Sequence, residues 1–192
     1  MTPATARPPG RPRVGIDAAV FAATLATVHD LGYAGATMDR VAAAAGVAKT
    51  TLYRRWESKG VLIVDCLLDA LGPVPLEGSD RVDLLSSAVR WTAARIAEPG
   101  VAGAFAGVFV DAVSDPTLRQ VLATRFQAPY LTALRSVLDE PDDRILLLVD
   151  VVVGTLLHRA GITGAPMVDA DVDALTAMVL HQFATPGGTA TR

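Results

Sequence analysis

The sequence holds a single cysteine, Cys66, only two lysines, and aromatic residues at just 5% of 192 positions. A lone cysteine makes no intrachain disulfide, and Cys66 has no metal-ligating companions nearby, a pattern that suits a cytoplasmic protein. The histidines, His29, His158 and His181, are scattered, and no two share the i, i+4 spacing of a helical metal site. There is no glycine-rich phosphate loop after a strand, no Gly-x-Ser-x-Gly turn, and no pair of carboxylates on one helical face suited to acid-base work. Asp169, Asp171 and Asp173 imitate the start of a calcium loop, but the glycine and terminal glutamate are missing, so helix capping is the simpler account. The expectation is a protein that is not an enzyme and that carries no metal and no cofactor.

What is abundant is alanine and aliphatic side chains. With 51% hydrophobic residues the chain can bury a sizeable core, and its composition suits closely packed helices better than sheets. The net charge of -3 hides an asymmetry: through Gly60, eight basic residues outnumber four acidic ones, giving +4 and leaving -7 for the rest. A basic amino-terminal part on an acidic body points to an anionic partner for the first and a separate task for the second.

The stretch that concentrates this basic charge runs from Thr37 to Lys59, TMDRVAAAAGVAKTTLYRRWESK. It reads as a helix from Met38 to Ala45 capped by Thr37, a turn at Gly46-Val47, a second helix from Ala48 to Tyr53, and a third opening at Ser58. Val41, Ala44, Val47 and Leu52 are placed to pack inward, while Lys49, Thr50, Thr51, Tyr53, Arg54, Arg55 and Lys59 form a polar, basic surface. Two short helices joined by a glycine turn, with donors for phosphates and a helix N-terminus that reaches base edges, make a candidate helix-turn-helix. The order Ala-Gly-Val, Lys-Thr-Thr-Leu-Tyr, Arg-Arg-Trp, Ser-Lys resembles the N-terminal domain of the TetR family of bacterial transcriptional regulators, over about residues 14 to 71. That resemblance implies phosphate contacts for Thr37, Tyr53 and Lys59, with Thr51 and Arg55 beside them, and base-edge contacts for Lys49, Thr50 and Arg54. Two positions depart from the family pattern: Ala48 lacks the usual side-chain oxygen, and Glu57 replaces a common proline.

Taken in order, residues 1–14 form a proline-rich basic arm without an acid, expected to be disordered. Its Gly10 to Arg13 run, with Arg11 and Arg13, resembles the core of a minor-groove AT-hook and reads equally as a soluble tail. The apolar run after it superficially imitates a signal peptide, but Asp17 and His29-Asp30 interrupt it and a helix-turn-helix comes next, so export is not expected. Residues 16–31 read as a first helix closed by Gly32, and a fourth helix from Ser58 to Leu71 links the DNA-binding part, residues 15–71, to the second domain. After the break at residues 71–80, helices are expected to Glu98, from Val101 to Ser114, from Asp115 to Leu138 with a kink at Pro129, from Asp142 to Ala160, and from Asp169 to Ala184. The fold class expected is therefore all-α: an N-terminal three-helix helix-turn-helix domain, then a helical ligand-binding and dimerisation domain over residues 79–184, and a disordered tail over 185–192.

The segment DRILLLVDVVVGTLLHRA is apolar nearly all round, and its run from Ile145 to Leu157 is too short to span a bilayer. It needs cover on every side, either as the core helix of a monomer or by a second copy. With the last helix it offers Val151, Gly154, Thr155, Val172, Leu175 and Val179 to a two-fold, four-helix dimer interface, which the resemblance also implies. The resemblance further implies a small-molecule effector in the carboxy-terminal helices. Trp91, Phe105, Phe109, Phe126 and Tyr130 are candidates to line its cavity, with Arg95 and His158 as polar anchors. The partners expected are double-stranded operator DNA, an effector and a second copy, with no membrane. The alternative is a helical module that binds nucleic acid or protein without operator specificity.

Overall fold

In the computed structural model, residues 13–76, 78 and 80–183 are described. Arg11 falls outside them, and the expected arm and tail lie almost wholly outside. Among the described residues there are helices and no strands. Helix α1 (Arg13–Gly35) is longer than the apolar period indicates, and Gly32 breaks its regular backbone near the end. Helices α2 (Met38–Ala44), α3 (Lys49–Arg55) and α4 (Lys59–Leu71) come next at short spacing. The capping side chains explain the boundaries. Thr37 accepts from the Arg40 amide at 3.3 Å, and Ser58 accepts from the Val61 amide at 3.2 Å. Ala48 occupies the N-cap position of α3 with no side-chain bond, as its methyl dictates.

The side chains of α1 to α4 close around one small core of Val20, Met38, Val41, Ala42, Leu52, Trp56, Leu62 and Cys66. The inward alanine of α2 is Ala42, whereas Ala44, expected inside, is exposed. Leu31 is likewise exposed, and the buried face of α1 runs through Val20, Thr24, Thr27 and Val28. Helix α4 is apolar on two sides. Leu62 and Cys66 enter the small core, while Ile63, Val64, Leu67 and Leu71 enter the larger one built by the rest of the chain. Helix α4 thus belongs to both cores, as does α1 through Val20 and Val28, and this joins them mechanically.

The larger core is made by α5 (Arg81–Ile96), α6 (Val101–Ser114), α7 (Pro116–Val121), α8 (Ala128–Arg135), α9 (Asp142–Thr163) and α10 (Asp169–Phe183). The single helix expected from Asp115 to Leu138 is replaced by α7, a π-helical segment (Leu122–Gln127) and α8. Pro129 supplies no amide, and the wider turn before it lets the chain stay helical around that missing donor. Helix α9, with 22 residues, outruns its apolar run and is long and apolar enough to cross a membrane by length and composition. Here one face, Ile145, Leu148, Val152 and Leu156, is buried on the protein's own helices. Val172, Leu175 and Val179 of α10 are buried inside the protomer, where α10 packs on α5, so they offer no surface to a second copy. Of the residues expected on α9, Val151 and Gly154 are exposed and Thr155 is half-buried; Leu147 and Ile162 on α9, and Ala174 and Met178 on α10, are exposed as well.

Glycines let α6 sit close to α1. Gly100 has φ 82°, and a Cβ there would lie 2.1 Å from the Leu25 carbonyl oxygen; one at Gly107 would lie 1.9 Å from the Tyr33 ring. No side chain larger than hydrogen fits either position without moving the helices apart.

Candidate functional site

Gly46, at φ 65°, turns the chain between α2 and α3, and α3 then presents a mostly exposed face. Lys49, Thr50, Tyr53 and Arg54 are exposed on it, with Thr37 exposed beside them at the start of α2. Leu52 points the other way and is fully buried, which fixes the roll of the helix. Lys49 is paired with Asp39 at 2.5 Å, but both are well exposed, and such a pair is worth at most about 1 kcal/mol. A phosphate or base edge can therefore take the ammonium at little cost. Thr51 is half-buried. Arg55 is half-buried too, engaged with Asp17 of α1 and 6.0 Å from the Trp56 ring centroid, so it is tied to the domain more than to the open face. Arg13 opens α1.

Lys59 lies at the N-terminus of α4. Its ammonium donates to the Tyr33 carbonyl at 3.2 Å and sits 3.7 Å from the centre of the Tyr33 ring. The helix end alone would repel a cation; the carbonyl and the ring face offset that repulsion. Trp56, expected to pack between helices, is buried, and its indole N–H donates to Asp65 of α4 at 2.9 Å. Asp65 also receives Arg125 of the π segment.

The second site is a cavity of about 700 Å³ between α5, α6, the α7–α8 region and α9, a volume that suits a small molecule. Trp91, Phe105, Phe109, Phe126 and Tyr130 all line it, and their rings contact one another in a chain, at centroid separations from 5.3 to 6.4 Å. Arg95 and His158 are not among its lining residues: Arg95 turns to Glu98 at 2.6 Å, and His158 is on the exposed face of α9. The polar groups that do line it are Thr92, Arg119, Gln120, Gln127 and Asp150. Arg119 is spent on the last carbonyls of α6, Ala112 and Val113, at 2.6 and 2.7 Å. Asp150 is the one of these with a signal in the sequence, as a charge inside an otherwise apolar run. The others sit on helical segments whose inward face sequence periodicity leaves undecided.

Tyr130 links the cavity to the linking helix. Its hydroxyl donates to the carbonyl of Gly72, the C-cap of α4, at 2.7 Å, and burial raises the phenol pKa. At the other end of α4, a Cβ on Gly60 would come within 2.8 Å of Leu118 of α7. Cys66 is buried among apolar groups that push its thiol up to about 12, so it is protonated and unreactive at neutral pH. Among the described residues no cluster of His, Cys, Asp and Glu could hold a metal ion.

A short helix seated by a buried leucine, a glycine turn before it and exposed cations along it define a helix-turn-helix protein, with a separate helical body behind. Residues 20–66 match the family model described as bacterial regulatory proteins, tetR family, and residues 74–179 match that of the tetracyclin repressor-like C-terminal domain. An uncharacterized HTH-type transcriptional regulator of Mycobacterium tuberculosis is 30% identical over 168 residues, 81% of each chain. A second, YdeS of Bacillus subtilis, is 26% identical over 179 residues, 85% of this chain and 87% of that protein. Among solved structures, the multidrug binding protein EbrR complexed with imidazole superposes with a TM-score of 0.64 at 20% identity, covering 91% of this chain and 98% of that one. A putative TetR-family regulator from Mesorhizobium loti gives 0.66 at 17% identity, covering 90% and 97%. The chain belongs to the TetR family of bacterial transcriptional regulators, DNA-binding proteins that are not enzymes.

Proposed function

We propose that the protein is a cytoplasmic, homodimeric repressor that holds a palindromic operator through α3 of each copy and releases it when a small molecule fills the aromatic cavity. The observation that carries this reading is the junction of the cavity wall with α4. Phe126 and Tyr130 line the cavity, Tyr130 holds the end of α4, and Arg125, next to Phe126, holds Asp65 in its middle. Asp65 in turn holds Trp56, the residue that closes α3. A ligand that displaces the two aromatic rings works directly on the groups that place the recognition helix. It shifts the equilibrium only as far as it prefers the released arrangement.

In this reading Lys49, Thr50 and Arg54 meet base edges, while Thr37, Tyr53 and Lys59 meet phosphates, with Thr51 and the Asp17-bound Arg55 behind them. The uncovered apolar residues of α9 and α10 are the dimer surface, and two-fold pairing sets the spacing of the operator half-sites. The test is base preference measured for variants. Lys49→Ala is expected to relax selectivity at one position in each half-site, and Lys59→Ala to weaken all sequences alike. Equal losses on every sequence for both variants would contradict these roles.

A further inference from the structure

Helix α6 meets the DNA-binding part at a point separate from α4. The Tyr33 hydroxyl, at the end of α1, donates to the Asp111 carboxylate of α6 at 2.5 Å, a bond between residues 78 positions apart. The phenol is half-buried and its pKa is raised by burial first and by Asp111 second, so it remains a donor at neutral pH. Its ring lies flat against Gly107, where a Cβ would overlap it. The same residue receives the Lys59 ammonium on its ring face and on its carbonyl oxygen. An ammonium has further N–H donors, and with one directed at Tyr33 the others are left for a phosphate.

We propose that Tyr33 and Asp111 are positioning residues for the Lys59 phosphate contact: Asp111 locks Tyr33 from α6, and Tyr33 holds the ammonium in place at the start of α4. This rests on Lys59 being a phosphate contact. It goes further in giving α6 a direct hold on DNA affinity. Phe105 and Phe109 line the cavity, while Asp111 faces α1 on the other side of the same helix. A shift of α6 loosens Lys59 even if α4 stays in place. The interaction lowers the ordering cost of a long, flexible side chain before DNA arrives, so its loss is felt in binding more than in folding.

The experiment is a double-mutant cycle on full-length protein, titrated with random-sequence duplex DNA across a range of salt concentrations, with folding checked by thermal melting. Lys59→Ala is expected to flatten the log-log salt slope by about 0.9, one phosphate's worth. Tyr33→Phe and Asp111→Ala are each expected to weaken binding severalfold and flatten the slope by less, and Asp111→Asn, which keeps an acceptor, to stay near wild type. In the Lys59→Ala background Tyr33→Phe is expected to have no further effect. If its full effect persists there, Tyr33 does not act through Lys59 and the proposal is overturned. If Lys59→Ala alone leaves slope and affinity unchanged, the phosphate contact itself is wrong and the positioning role falls with it. Should Asp111→Ala fail to fold, Tyr33→Phe with Lys59→Ala carries the cycle, and Asp111→Asn serves as its near-wild-type control.

Discussion

Single residues decide the packing of the two cores. Gly100 combines a left-handed backbone with a carbonyl where its Cβ would be, so Gly100→Ala is expected to cost about 2 kcal/mol or more in denaturant unfolding. Gly15, which has open space around it, is expected to accept alanine without loss. Cys66 gives a pH signature. Its folded thiol titrates near 12 against an ordinary 9.0, so the unfolded chain loses that proton first. Stability from this group is intact below pH 9.0 and falls as pH rises towards 12. Melting temperatures of wild type and Cys66→Ala are expected to run parallel below that range and to diverge within it, the wild type falling faster. A thiol reagent at neutral pH is expected to label Cys66 only at the rate of unfolding. At this scale the exposed cations of α3 are legible in the sequence, because Leu52 and Gly46 fix its orientation locally. Arg95 and His158 do not line the cavity expected of them, because the direction of a helical side chain depends on neighbours far along the chain.

At the scale of elements, α4 contributes to both cores along most of its length, and its contacts make it sensitive. Asp65→Ala leaves both the Trp56 indole and Arg125 without their acceptor. It is expected to lower stability by about 1–3 kcal/mol and to weaken DNA binding, since α3 loses the anchor at its end. Arg125→Ala is expected to do less, because the Trp56 bond survives it. Helix boundaries are readable wherever a cap or a breaker stands in the sequence: Thr37, Ser58, Asp80, Gly100 and Asp115 all mark helix starts. The π segment is not readable in this way. Pro129 announces that one hydrogen bond is missing, but a kink and a widened turn are equally good local answers, and the chain takes the second. The stripe of α10 is ambiguous for a similar reason. Val172, Leu175 and Val179 form an apolar face, and periodicity does not say whether the helix that covers it belongs to the same chain.

For the whole molecule, the uncovered face of α9 is where a second copy is expected to sit. Val151 is 43% exposed and Val152 is 5% exposed, one residue apart on different sides of the helix. Val151→Glu is expected to give a folded monomer in sedimentation, and Val152→Glu an unfolded chain, because a charge buried without a partner costs several kcal/mol, on the order of 3 or more. A Val151→Glu protein that stays dimeric would move the interface elsewhere. The charge asymmetry, basic towards the amino end and acidic beyond, is consistent with one end of each copy facing DNA.

The most direct test of the central claim is selection of bound sequences from a random duplex pool at near-physiological salt, where non-specific binding is weak. Recovery of a single inverted repeat, with half-sites spaced for two copies of α3, is the expected result. Recovery of no common sequence by a protein shown to be folded would contradict the operator-binding account and favour a helical module without sequence preference.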